Sequence, residues 1–115
     1  MNLQPNEEMA VSECLSRLMD HLNGRLVEMH LFGSKARGDF MPDSDLDLLI
    51  ILENDDWKTK DAVRFIAADV SLEYDVLINT HILSLARWER MVRQQATLWQ
   101  EVQRDGVPLI PDHGQ

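Results

Sequence analysis

The stretch that decides the fold runs Gly33-Ser34-Lys35-Ala36-Arg37-Gly38-Asp39-Phe40-Met41-Pro42-Asp43-Ser44-Asp45-Leu46-Asp47-Leu48-Leu49-Ile50-Ile51-Leu52. Its second half, Asp45 to Leu52, opens with acids alternating with leucine and continues almost purely aliphatic. That pattern predicts a strand with a polar mouth, buried on both faces over its second half. Gly33-Ser34 breaks the strand predicted for Arg25 to Phe32. Ser34 to Gly38 has room for one helical turn. Asp39 to Ser44, with Pro42, reads as a loop.

Outward from this stretch, apolar residues recur at helical spacing. Met9, Cys14, Leu15, Leu18, Met19 and Leu22 predict an amphipathic helix from about Asn6 to Leu22, capped at Asn6 and ended by Asn23-Gly24. After the polar break Glu53 to Asp56, Val63, Ile66, Ala67, Val70 and Tyr74 predict a second helix from about Trp57. Val76 to Leu83 reads as a third strand. Ser84 is a cap for a short helix through Val92. Thr97-Leu98-Trp99-Gln100 has the form of a capping box for a helix stopping at Gly106. Val107 to Ile110 is a candidate last strand, and the tail is expected to fray. The order α-β-β-α-β-α-α predicts one α/β domain over residues 1–115, a small mixed sheet with helices packed against it.

The chain has 115 residues, 44% hydrophobic and 27% charged, with a net charge of −9. This is the profile of a globular domain. No apolar run approaches the roughly 20 residues of a membrane span. The acidic start lacks a basic, then apolar, leader pattern, so a cytoplasmic protein is expected. Cys14 has no cysteine to pair with and lies in an apolar helical pattern, so it reads as a core residue. The strong negative charge argues against nucleic acid as the main partner and suits a metal-bound nucleotide or a basic protein. Homo-oligomerisation is left open.

Three physical parts of the opening stretch carry chemistry. Glycine at 33 lets a phosphate approach the backbone, and Ser34 adds a hydroxyl and a free N–H. The spacing is not that of a Walker A loop. Asp45 and Asp47, two apart at a strand mouth, share a face and repel each other unless a cation lies between them. Hard oxygen donors suit Mg²⁺ or Mn²⁺. A calcium loop starting at Asp43 is excluded, because its sixth and twelfth positions hold Leu48 and Asn54. Lys35 and Arg37 belong either to a solvated turn or beside a triphosphate, where Arg37 could neutralise developing charge.

Taken together, Gly-Ser, a ten-residue gap and Asp-x-Asp entering an aliphatic strand resemble the signature of the DNA polymerase β-like nucleotidyltransferase superfamily. The run from Gly33 to Ile50 looks like its minimal nucleotidyltransferase (MNT-type) branch, and the likeness is sharpest over Arg25 to Leu52. The resemblance implies a palm-like fold and two Mg²⁺ ions on three carboxylates. Asp45 and Asp47 match the first two. Asp75 is the nearest candidate for the third, with Glu73 and His81 as fallbacks. If the strand begins at Leu72, Asp75 lies mid-strand; if the preceding helix reaches Tyr74, Asp75 is a polar junction residue. Gly33, Ser34 and Arg37 would hold the phosphates of ATP. The implied reaction transfers a nucleotide, AMP above all, to an acceptor hydroxyl. Free-standing domains of this size in the family are often antitoxins of HEPN-type toxins. The alternative is a non-catalytic module that binds a nucleotide or neutralises a partner. Trp57, Trp88 and Trp99 read as core or interface residues.

Overall fold

The structure, a computed structural model, describes residues 3–37, 45–54 and 56–110. The loop expected over Asp39 to Ser44 and the tail expected to fray lie outside them. Among the described residues no helix is long and apolar enough to cross a membrane.

The aliphatic run forms β2 (Leu46–Leu52), the central strand in the sense that matters for packing. It is antiparallel to β1 (Leu26–Phe32) and parallel to β3 (Ile78–Ser84). A short β4 (Val107–Pro108) pairs with β1, giving the sheet order β3-β2-β1-β4. A parallel pair needs a long crossover, and α3 (Trp57–Tyr74) supplies it. The expected mixed sheet with packed helices is therefore what forms.

Alternation along β2 divides the core in two. Leu46, Leu48, Ile50 and Leu52 face α1 (Pro5–Leu22) and α3, together with Met29, Leu31, Leu18, Val63 and Val70. Leu49 and Ile51 face the other way, onto Phe32, Leu83, Trp88 of α4 (Leu85–Gln94) and Val102 of α5 (Thr97–Asp105). Every residue from Leu48 to Leu52 is 0% exposed, as the continuous apolar run demanded.

Local signals set most boundaries, with some corrections. The cap of α1 is Gln4 rather than Asn6. Pro5 takes the first helical position, and the Gln4 N–H donates to Glu7 Oε1 at 2.7 Å. Asn23 and Gly24 end the helix at φ 48° and 94°. Asp56 caps α3 and Ser84 caps α4, each accepting from a backbone N–H. The cap of α5 is Ala96, not Thr97, with no side-chain hydrogen bond. Trp88 is buried, but Trp57 is 68% exposed.

Cys14 is fully buried, and burial pushes its thiol up to about 11. The thiolate is the reactive form, so the native protein should resist alkylation at pH 8 and react after denaturation. The folded chain also holds the proton above the ordinary thiol range. The thiol's contribution to stability is therefore full below pH 9 and is lost as pH rises towards 11. Denaturant titrations across that window, compared with Cys14→Ala, check the sign.

Candidate active site

The Gly-Ser bend and the acidic pair meet at one end of the β1–β2 hairpin. Phe32 and Asp47 are register partners, so Gly33 follows directly beside the Asp47 carboxylate. Gly33 has φ 81°, a conformation that costs other residues about 1–2 kcal/mol. A Cβ there would collide with Asp47 Oδ2. Glycine is needed twice at this position, for its backbone angle and for the room it leaves the carboxylate.

Gly33→Ala should therefore strain the bend and displace Asp47 together. A loss of about 1–2 kcal/mol in stability is expected alongside weaker nucleotide binding. Denaturant unfolding and ATP titration check this, and an alanine variant with unchanged ATP affinity would count against the site.

Ser34 opens α2 (Ser34–Arg37), a single turn closed by the Arg37 N–H donating to the Gly33 carbonyl at 3.1 Å. Two ion pairs clamp this turn. Lys35 Nζ lies 2.8 Å from Glu7 Oε2, both side chains nearly buried. Lys35 thus belongs neither to a solvated turn nor to a triphosphate, since Glu7 on α1 claims it. Arg37 NH1 reaches Asp105 Oδ2 at the end of α5, at 3.5 Å, and Arg104 Nε shares that oxygen at 2.9 Å. The turn is thereby tied to a helix on each side of the sheet.

Asp45 immediately precedes β2, and the following Leu46 N–H donates to the Leu77 carbonyl at 2.8 Å. Asp47 projects on the side of Leu49 and Ile51, where it remains partly exposed. Beside it on β3 stand Asn79, its register partner, and His81. Asn79 Nδ2 donates to Asp47 Oδ1 at 3.1 Å, and His81 Nε2 lies 3.6 Å from the same oxygen.

Asp75 is elsewhere. The helix α3 runs through Tyr74, and Asp75 ends it in the left-handed conformation at φ 55°. The strand begins at Ile78, not Val76. The structure thus takes the junction alternative: Asp75 caps a helix and is not mid-strand. Among the described residues no group of three His, Cys, Asp or Glu side chains is placed to hold a metal ion. Asn79 was not anticipated from sequence. The signal that finds it is the alternation of a strand starting at Ile78, which needs the parallel register to be known.

Comparison with known proteins fits this geometry. A family model described as a nucleotidyltransferase domain matches residues 11–97. The chain belongs to the nucleotidyltransferase domain family. It is 38% identical over 79 residues to a candidate protein adenylyltransferase of Methanocaldococcus jannaschii, covering 69% of this chain and 75% of the relative. A second candidate protein adenylyltransferase of that organism is 44% identical over 59 residues, covering 50% of this chain and 60% of the relative. The fold is shared with solved toxin–antitoxin structures. A mutant MntA–HpeT complex matches at TM-score 0.54 and 18% identity, covering 87% of this chain and 73% of the other. A toxin–antitoxin with AMP-PNP matches at TM-score 0.55 and 19% identity, covering 88% and 73%.

The residues of this nucleotidyltransferase domain fit a divalent cation on their own chemistry. Asp45 and Asp47 offer hard carboxylate oxygens at a strand mouth. Asp47 Oδ2 takes up the room that the missing Cβ of Gly33 leaves. Mg²⁺ is commonly held by one or two carboxylates together with substrate phosphates, which this pair can provide.

Proposed function

We propose that this chain uses ATP bound through a divalent cation, of the Mg²⁺ or Mn²⁺ class, to transfer AMP to a hydroxyl on a partner protein. The observation that carries the reading is the fit of Gly33 against Asp47: a phosphate seated on the Gly33-Ser34 bend would lie next to the carboxylates. The Gly33 backbone and Ser34 hydroxyl would hold the β- and γ-phosphates. Asp45 and Asp47 would hold the cations. Bound there, the cations would neutralise phosphate charge and make the acceptor hydroxyl more acidic. The acceptor oxygen bonds to the α-phosphorus, the bond to the β-phosphate oxygen breaks, pyrophosphate leaves, and the hydroxyl proton passes to solvent. Positioning and electrostatics supply most of the acceleration in such displacements. Arg37, held from one side by Asp105, stands on the phosphate-binding turn, where its charge offsets that of the leaving group.

Likeness to candidate protein adenylyltransferases supports a protein acceptor. The shared fold with toxin–antitoxin complexes, one with AMP-PNP, supports a toxin as that partner, and the HEPN type is what the family resemblance adds. The net charge of −9 suits docking to a basic protein. Asn79 standing beside Asp47 in place of an acid favours a second reading, in which the domain binds ATP and covers its partner without transfer.

The deciding experiment incubates the chain, Mg²⁺ and the product of the neighbouring open reading frame with ATP labelled on the α- or the γ-phosphate. Label retained from the α-position alone identifies AMP transfer. ATP binding without a labelled protein selects the second reading. Absence of both binding and labelling sinks the proposal.

A further inference from the structure

Three side chains at the open end of the sheet form a small triangle. Asn79 Nδ2 lies 3.1 Å from Asp47 Oδ1 and 3.4 Å from His81 Nε2. His81 Nε2 lies 3.6 Å from the same Asp47 oxygen. An octahedral divalent cation with bonds of about 2.1–2.3 Å holds adjacent donors about 3.0–3.3 Å apart. The triangle is within a few tenths of an ångström of one face of such an octahedron.

Strand geometry produces this arrangement. The parallel register sets Asn79 beside Asp47 and His81 beside Leu49, all on one face. Phe32 packs edge-on against the imidazole, with ring centroids 5.0 Å apart, and so fixes the ring near Asp47. The Asn79 amide now presents its N–H₂. A half-turn about its last side-chain torsion brings the near-isosteric carbonyl oxygen to the same point. No residue of β3, from Ile78 to Ser84, is an acid.

We propose that Asn79 and His81 stand in for a third carboxylate, completing with Asp47 a mixed oxygen–nitrogen site that takes a divalent transition metal such as Mn²⁺ in preference to Mg²⁺. The inference rests on the reading of Asp45 and Asp47 as the cation–triphosphate centre and deepens it by naming the ion. Two physical arguments favour the transition metal. Mg²⁺ demands oxygen donors and dehydrates reluctantly, whereas first-row transition ions accept imidazole. Replacing an acid with neutral donors also removes one negative charge, which weakens the grip on a hard cation more than on an ion that gains from nitrogen ligation.

The test titrates Mn²⁺ into the full chain without nucleotide, followed by electron paramagnetic resonance, with Mg²⁺ as competitor. Electron spin-echo spectra of the Mn²⁺-loaded protein then report directly bound imidazole nitrogen. Wild-type protein should show that nitrogen coupling, and His81→Phe, which keeps a ring against Phe32, should lose it. The same variant should bind Mn²⁺ at least about tenfold more weakly, as ligand-shell losses typically do, with a smaller change for Mg²⁺. A wild-type spectrum without nitrogen coupling overturns the proposal, as does His81→Phe binding Mn²⁺ like wild type. Should that variant fail to fold by circular dichroism, His81→Gln and the wild-type spectrum decide. Asp47→Asn separates the two levels. If it loses both ions while the nitrogen coupling is absent from wild type, this inference alone fails. If it binds both ions unchanged, the underlying site fails.

Discussion

Asp47→Asn is expected to lower AMP transfer by at least about 10²–10³-fold, the scale of losing one preorganised electrostatic contact to a reacting centre. It should also abolish cation-dependent ATP binding. The expectation follows from where the carboxylate sits. Oδ2 lies against the Gly33 bend and Oδ1 meets Asn79 and His81, so this one side chain touches both the Gly33-Ser34 turn and the β3 edge. Asparagine keeps the shape and an oxygen that can accept from Asn79, but it removes the charge a cation needs. The fold should survive, because Asp47 is outside the apolar core and partly exposed. Removing one of two like charges should leave stability in metal-free buffer no lower than wild type. Radiolabel transfer, ATP titration with and without Mg²⁺, and thermal unfolding make the comparison. Normal turnover would refute the assignment of the acidic pair.

Glu7→Ala should have the largest effect on stability. Glu7 is 6% and Lys35 4% exposed, and their 2.8 Å ion pair joins the first turn of α1 to α2. Truncating Glu7 strands the Lys35 ammonium in a nearly dry site. Breaking a buried pair from one side costs about 3–5 kcal/mol, a large share of the 5–15 kcal/mol that holds a typical domain together. The same change removes the acceptor for the Gln4 N–H and so loosens the helix start. The double replacement Glu7→Gln with Lys35→Met leaves no buried charge and should recover most of the loss. Equilibrium urea unfolding of the single and double variants tests this. A single variant within about 1 kcal/mol of wild type would show the pair to be solvated. ATP affinity should fall in Glu7→Ala as well, since Lys35 anchors the turn that carries Ser34.

The two expectations show how far local pattern reaches. The run from Leu48 to Ile51 reads as a buried strand, because it is continuous, aliphatic, short and bounded by polar breaks. Ser84 and the Asn23-Gly24 step marked helix ends through chemistry that acts within a few residues, as did the polar break before Trp57. The Gly33-Ser34 and Asp45-x-Asp47 parts were legible for the same reason, since each is a backbone conformation or an alternation written in adjacent positions. Asp75 was not settled by such reasoning. Its neighbourhood satisfies either a strand or a helix end, and the choice fell to α3 packing Val70 and Tyr74 onto the core, which carries the helix to Tyr74 and leaves Asp75 to cap it. The misplaced caps at Asn6 and Thr97 have a milder cause: several polar residues near each helix start could take that position.

By itself, the sequence determined the family, the mixed sheet, the buried central strand and the bend and acids at its mouth, because all of these follow from short-range periodicity and from side chains next to one another in the chain. Tertiary structure alone decided which groups surround those acids. Lys35 turns away to Glu7, far off in sequence on α1, and Asn79 and His81 arrive beside Asp47 through the parallel register of β2 and β3. Register between strands separated by a helix is a property of packing, and no local pattern specifies it.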